Sequence, residues 1–307
     1  MKQYIELCKN ILDNGVWKEP ARPGMPRTKS INSVMIKYDL KDGFPLLTTK
    51  KMYTKGIFVE LLWLLIGENH IHYLLQNNVH IWDGDGYKYY CKRCAENGFE
   101  YPMTKDAWVE HCTKVKDWTG DMGRIYGYQW RKRKRDQIVY LLNSIKSNPN
   151  SRYHILESWN TDDIQDNNMA LPPCHKQMQF FVRDNKLDMM FYIRSNDVPL
   201  GNPFNVACYA AILQLFCLLT GYEPGILTYV GGDVHIYENQ IEAIQTQIER
   251  EPYALPKLEI DIPDFDHNVD WTSESFDAFI TQMSWKDFHV IGYESHPEVK
   301  IPLSVGI

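Results

Sequence analysis

The hydrophobic pattern opens with a helix: Tyr4, Ile5, Leu7, Cys8, Ile11 and Leu12 fall on one helical face, and Gly15 follows where a C-terminal cap belongs. Residues 16–30, rich in proline and with two arginines, read as a loop. An alternating segment over 31–40 predicts a strand, and Asp42-Gly43-Phe44-Pro45 its exit. From 57 to 66 the chain is apolar except for Glu60, which predicts a core helix carrying a carboxylate. Residues 84–119 are polar, aromatic and irregular. A short helix is expected over 137–145, ended by Asn148-Pro149. Strands are expected over 154–159, 177–183, 187–195 and 226–230, and helices over 203–220 and 237–250. This mixture predicts an α+β fold: a single domain over 1–307 with a large mixed sheet flanked by helices, and an irregular insertion at about 84–120.

Composition narrows the class. With 307 residues, 44% of them hydrophobic, the chain can bury a substantial core, and disorder is not expected. The net charge is −6, and positive charge concentrates only over 130–136, so no nucleic-acid surface is required. No apolar signal region opens the chain, and the apolar run over 206–219, interrupted by Gln214, falls short of the ~20 residues of a membrane span. A soluble, cytoplasmic protein is the expectation, with no membrane partner. Seven scattered cysteines do not resemble a disulfide framework and fit a reducing compartment. Cys91, Cys94, His111 and Cys112 are of the ligand types zinc takes, but adjacent His111-Cys112 makes an unusual second half. Ordinary insertion cysteines, and no metal, are expected.

Candidate chemistry gathers around Cys174, a thiol directly behind Pro172-Pro173. A reactive cysteine needs positive charge near its sulfur, which His175 and the arginines could supply. A carboxylate at Glu60, buried in an apolar helix, is expected to have a perturbed pKa. The segments 193–197, 200–205 and 231–237 set an arginine, a carboxylate, an amide and a His/Tyr pair at turns between strands and helices, as recognition of a charged, hydrogen-bonding small molecule requires.

In chain order, Asp42-Gly43-Phe44-Pro45-Leu46-Leu47-Thr48-Thr49-Lys50, Glu60-Leu61-Leu62-Trp63, Asn78-Val79-His80-Ile81-Trp82-Asp83, Tyr126-Gly127-Tyr128-Gln129-Trp130-Arg131 and Ala170-Leu171-Pro172-Pro173-Cys174-His175 resemble the thymidylate synthase family. The resemblance implies that family's fold, dimerising through the sheet, and a reaction of dUMP or a related pyrimidine nucleotide with 5,10-methylenetetrahydrofolate. It implies that Cys174 adds to C6 of the pyrimidine, turning C5 into a nucleophile toward the folate methylene. Glu60 would handle protons through ordered water, Tyr126 would lie near the departing C5 proton, and Asp197 completes the catalytic set. Arg194, Ser195 and, across a homodimer interface, Arg152 look like phosphate ligands, joined by Arg22 or Arg27. Asn205 would read O4 and N3–H of uracil, with His175 beside it in the nucleotide set, and His235 and Tyr237 would hold the 3′-hydroxyl. Ile81, Trp82, Asp197, Gly201 and Phe204 would line the folate site, with the C-terminal tail closing over it.

The chain departs from that pattern in places. Its phosphate loop reads Arg22-Pro23-Gly24-Met25-Pro26-Arg27-Thr28, its dimer-crossing pair is Arg152-Tyr153 rather than two arginines, and its tail over 301–307 is altered. Asn196 and Asn202 stand where methylating members carry small or apolar residues, and Arg-Ser-Asn-Asp resembles the family's nucleotide hydroxymethylases. Hydride delivered to the C5 methylene gives dTMP and dihydrofolate, whereas water gives a hydroxymethyl product. Amides near the cavity would hold that water. The expected product is therefore 5-hydroxymethyl-dUMP, with dTMP as the alternative; a reading from another class is a non-catalytic nucleotide-, folate- or RNA-binding relative.

Overall fold

The computed structural model describes residues 1–20, 24–99 and 102–303. Helix α1 (Lys2–Asn14) buries Tyr4, Leu7, Cys8 and Ile11, the face its periodicity predicts. Strands β1 (Val16–Lys18) and β2 (Thr28–Asp39) follow. Part of the expected 16–30 loop is thus an edge strand, because Val16 and Lys18 pair with Ser30 and Thr28 through backbone that side-chain patterning does not reveal. Helices α2 (Thr54–Ile66), α3 (His72–Gln76), α4 (Asp83–Glu96), α5 (Lys105–Lys114), α6 (Tyr126–Arg131) and α7 (Gln137–Ser147) come next. Asp136 caps α7 by accepting from the N–H groups of Ile138 and Val139. Then come β3 (Ile155–Glu157), α8 (Thr161–Gln165), β4 (His175–Arg183), β5 (Lys186–Asp197), α9 (Gly201–Thr220), β6 (Glu223–Tyr237), α10 (Ile241–Ile248), β7 (Lys257–Ile260), α11 (Ser273–Ile280) and β8 (Phe288–Ile291).

The main sheet runs β1-β2-β6-β5-β4-β3, and β7 pairs with β8 apart from it. Strands β5 and β6 are parallel, joined by α9 as a crossover; the other neighbours are antiparallel, so the sheet is mixed as expected. One face, carrying Phe180, Met189, Phe191, Leu227 and Tyr229, is buried. The other, carrying Gln179, Met190, Tyr192, Thr228 and Val230, is half-exposed. Helix α9 has the length and apolarity of a membrane span, but most of it is buried inside the protein, as befits a core helix.

Two expectations need correction. The segment 84–120 is largely helical: Tyr90, Cys94, Trp108 and Cys112 are buried, and Tyr90 and Trp108 stack across α4 and α5 with ring centroids 6.2 Å apart. Its few apolar positions do the packing while the polar majority faces water, which hides the period. Residues 231–237, expected at a turn, continue β6, paired with β2 on one side and β5 on the other. Gly232 is needed there because a Cβ would come within 2.8 Å of the Arg194 carbonyl oxygen. The cysteines of the 84–120 segment serve packing: Cys112 Sγ lies 3.6 Å from Thr119 Oγ1, and His111 Nε2 faces Asp117 Oδ2 at 3.0 Å. Among the described residues no His, Cys, Asp or Glu group is arranged to hold a metal.

Candidate active site

Helix α2 carries Glu60 and packs closely against α6. A Cβ on Gly127 would sit 2.8 Å from the Leu64 carbonyl oxygen, so glycine is what lets α6 bring Tyr126 against α2. Trp82, at the start of α4, donates its indole N–H to Glu60 Oε1 at 2.6 Å and meets the Tyr126 ring edge-on at 6.1 Å. Burial pushes the Glu60 carboxyl up to about 7, the Trp82 hydrogen bond only partly opposing it. A carboxyl poised there exchanges protons readily at neutral pH.

Cys174 sits just before β4, half-buried. Its backbone is pinned at both ends: its N–H donates to Tyr126 Oη at 2.8 Å, and its carbonyl accepts from the Arg194 N–H at 2.9 Å. The Arg194 side chain wraps the same turn, donating to the carbonyls of Pro173 and Pro172 at 2.9 Å each, and its Nη2 lies 3.8 Å from Cys174 Sγ. Trp159 stacks under that guanidinium at 5.6 Å. A fixed cation beside a sulfur is the environment that favours a thiolate.

His175 does not share that task. Packed between the rings of Tyr126 and Tyr209, its imidazole is pushed down to about 4 by burial, which a hydrogen bond with Asn205 only partly offsets. It is therefore neutral at pH 7, and the positive charge expected from it comes from Arg194 alone of the two. The Tyr126 phenol is pushed well above its ordinary range, burial first and the neighbouring Cys174 second, so it is protonated at neutral pH.

Arg194, Ser195, His235 and Tyr237 converge on one cavity of about 280 Å³, together with Lys18, Thr28 and Asp233. Asp233 ion-pairs with Lys18 and takes His235 Nδ1 at 3.0 Å, which holds the Asp233 carboxyl down at about 2 and orients the imidazole. Sequence reasoning missed Lys18, which sits on the unrecognised strand β1. Arg27 is not in this lining, although its neighbours Pro26 and Thr28 are; it is paired with Glu238 and stacked on Trp17 at 4.7 Å. Arg22 falls outside the described residues. Arg152 is exposed on the α7–β3 connection, away from the cavity lining.

Asp197, the last residue of β5, is half-buried; loss of solvation raises its pKa, while the Gln240 amide and the Leu200 N–H oppose the rise. A larger cavity, about 510 Å³, is lined by Leu200, Phe204, Ile301 and Pro302 together with Lys50, Lys51, Lys300 and Glu298; Lys50 is buried, its Nζ donating to the Pro199 carbonyl oxygen at 2.6 Å. Apolar walls with three lysines against one glutamate suit an apolar molecule that carries negative charge. Gly201 begins α9 nearby, and Ile81 is exposed beside buried Trp82. Asn205 is buried against His175.

Asn196 and Asn202, expected to face the cavity, serve each other instead. Asn196 Oδ1 accepts from Asn202 Nδ2 and from Tyr229 Oη, both at 2.9 Å, in a buried cluster on the core side of β5. The pairing satisfies Asn196 Oδ1 but leaves Asn202 Oδ1 buried without a protein partner.

The thymidylate synthase family model matches residues 2–305. The chain is also 40% identical over 305 residues, 98% of either chain, to a thymidylate synthase of Phytoplasma mali (strain AT). Match and identity run across α4 and α5 as well as the site, so the chain belongs to the thymidylate synthase family.

Proposed function

We propose that this one-carbon transferase methylates dUMP to dTMP as a homodimer in the cytoplasm, rather than hydroxymethylating it. The observation that carries the choice is the placement of Asn196 and Asn202: Asn196 Oδ1 is taken up by Asn202 Nδ2 and Tyr229 Oη, and neither asparagine lines the larger cavity, which is walled by Leu200 and Phe204. The relative at 40% identity carries the name thymidylate synthase. 5,10-Methylenetetrahydrofolate, when bound, supplies the carbon and the hydride, and Asp197, Phe204, Gly201, Ile81 and Trp82 are the residues that would hold it.

The chain's own part begins with Arg194, which favours the Cys174 thiolate and contributes charge to the phosphate site with Ser195. Cys174 attacks C6 of the uracil, and Asn205, held by His175, offers its amide N–H to O4 and its amide oxygen to N3–H. Glu60 gives and takes protons near neutrality, while the Tyr126 hydroxyl, held on the Cys174 N–H, stands where the C5 proton leaves. His235 and Tyr237 take the sugar, and the half-exposed sheet face is where a second copy, with its Arg152, would dock.

Incubation with dUMP and methylenetetrahydrofolate should raise dihydrofolate absorbance in step with dTMP, read by mass spectrometry. Hydroxymethyl-dUMP without dihydrofolate would overturn the choice. Asn205→Asp should move kcat/KM from dUMP toward dCMP by roughly 10-fold or more, because a carboxylate cannot offer a donor to O4; competing the two nucleotides in one assay measures it.

A further inference from the structure

Gln240 lies in the turn between β6 and α10 and is fully buried. Its Oε1 accepts from the Tyr237 N–H at 3.1 Å, and its Nε2 donates to Asp197 Oδ2 at 3.2 Å and to the Pro302 carbonyl oxygen at 3.1 Å. The orientation of the amide is determined by its partners: an N–H on one side, a carboxylate and a carbonyl on the other. One side chain therefore spans the sugar end of β6, the half-buried carboxylate at the end of β5 and the C-terminal segment. Both Nε2 hydrogens are in use at once, so displacing the segment leaves an amide N–H without its acceptor, and turning the amide to recover it releases Asp197.

We propose that Gln240 is a positioning residue that couples docking of the C-terminal segment at Pro302 to the orientation of Asp197 toward the folate. The inference rests on the assignment of Asp197 to the folate site made above. Glutamine suits the task because a neutral amide offers two donors to two acceptors without adding charge beside Asp197, and the two hydrogens cannot be served by a side chain with one donor.

The test is steady-state kinetics of Gln240→Met, close in size but without donors, beside Asp197→Asn and the double variant. The expected result for Gln240→Met is a KM for methylenetetrahydrofolate raised about tenfold, with kcat lowered less than threefold and the dissociation constant of dUMP, measured without folate, within threefold of the unsubstituted chain. Retained dUMP binding reports that the variant is folded. In the double variant the two effects should not multiply, because Gln240 acts through Asp197. A folate KM within twofold of the unsubstituted chain, equal losses for both substrates, or multiplying effects would overturn the coupling. If Asp197→Asn itself leaves the folate KM unchanged, the assignment of Asp197 fails, a result distinct from failure of Gln240 alone.

Discussion

Cys174→Ala is expected to lower turnover of dUMP by at least ~10³-fold, since no bond to C6 can form without the sulfur. The frame around it should survive. The contacts that hold residue 174 are made by its backbone, with Tyr126 Oη on the N–H and Arg194 N–H on the carbonyl. Arg194 still donates to the Pro172 and Pro173 carbonyls, so the nucleotide cavity keeps its charge. Binding of dUMP by calorimetry should therefore change by less than about threefold while kcat collapses, and intact-mass spectra should lose any covalent nucleotide adduct. Turnover within tenfold of the unsubstituted chain would remove Cys174 from the mechanism.

Glu60→Gln should cost ~10²–10⁴-fold in kcat and at the same time stabilise the fold above neutral pH. The carboxyl stands at about 7 in the folded protein against an ordinary 4.5, so between those values the unfolded chain releases a proton that the folded one keeps. Folding is thus penalised as pH rises through that window, and the penalty is complete above about 7. Glutamine removes it, a gain on the order of 3 kcal/mol at pH 8 and none at pH 4. Urea unfolding at both pH values measures the gain. The pH–kcat profile supplies the second check: an ionisation near 7 present with Glu60 should vanish with glutamine. A variant that keeps that ionisation would assign it to another group.

How much of this was legible depended on whether the chemistry was local. Helix α1 and strand β2 showed themselves because their apolar positions repeat at 3.6 or 2 residues, and α2 and α9 because they are long, nearly unbroken apolar runs. Helices α4 and α5 did not, since each buries a narrow face through scattered aromatics and cysteines. Two glycines made 231–237 look like a turn, and only pairing on both flanks makes it strand. The site residues were identifiable as a set from contiguous motifs, and Glu60 from one acid in an apolar helix. Their states were not identifiable.

The sequence by itself determined the family and the mixed sheet, and it supplied the residues proposed as thiol nucleophile, acid and uracil-reading amide. Those are properties of residue types in short runs. Tertiary structure alone decided that His175 is neutral between Tyr126 and Tyr209, that Arg194 stands against the sulfur, that Asn196 and Asn202 close on Tyr229, and that Gln240 joins Pro302 to Asp197. Charge state and hydrogen-bond partner depend on burial and on neighbours distant in the chain, and these exist only once the chain has packed.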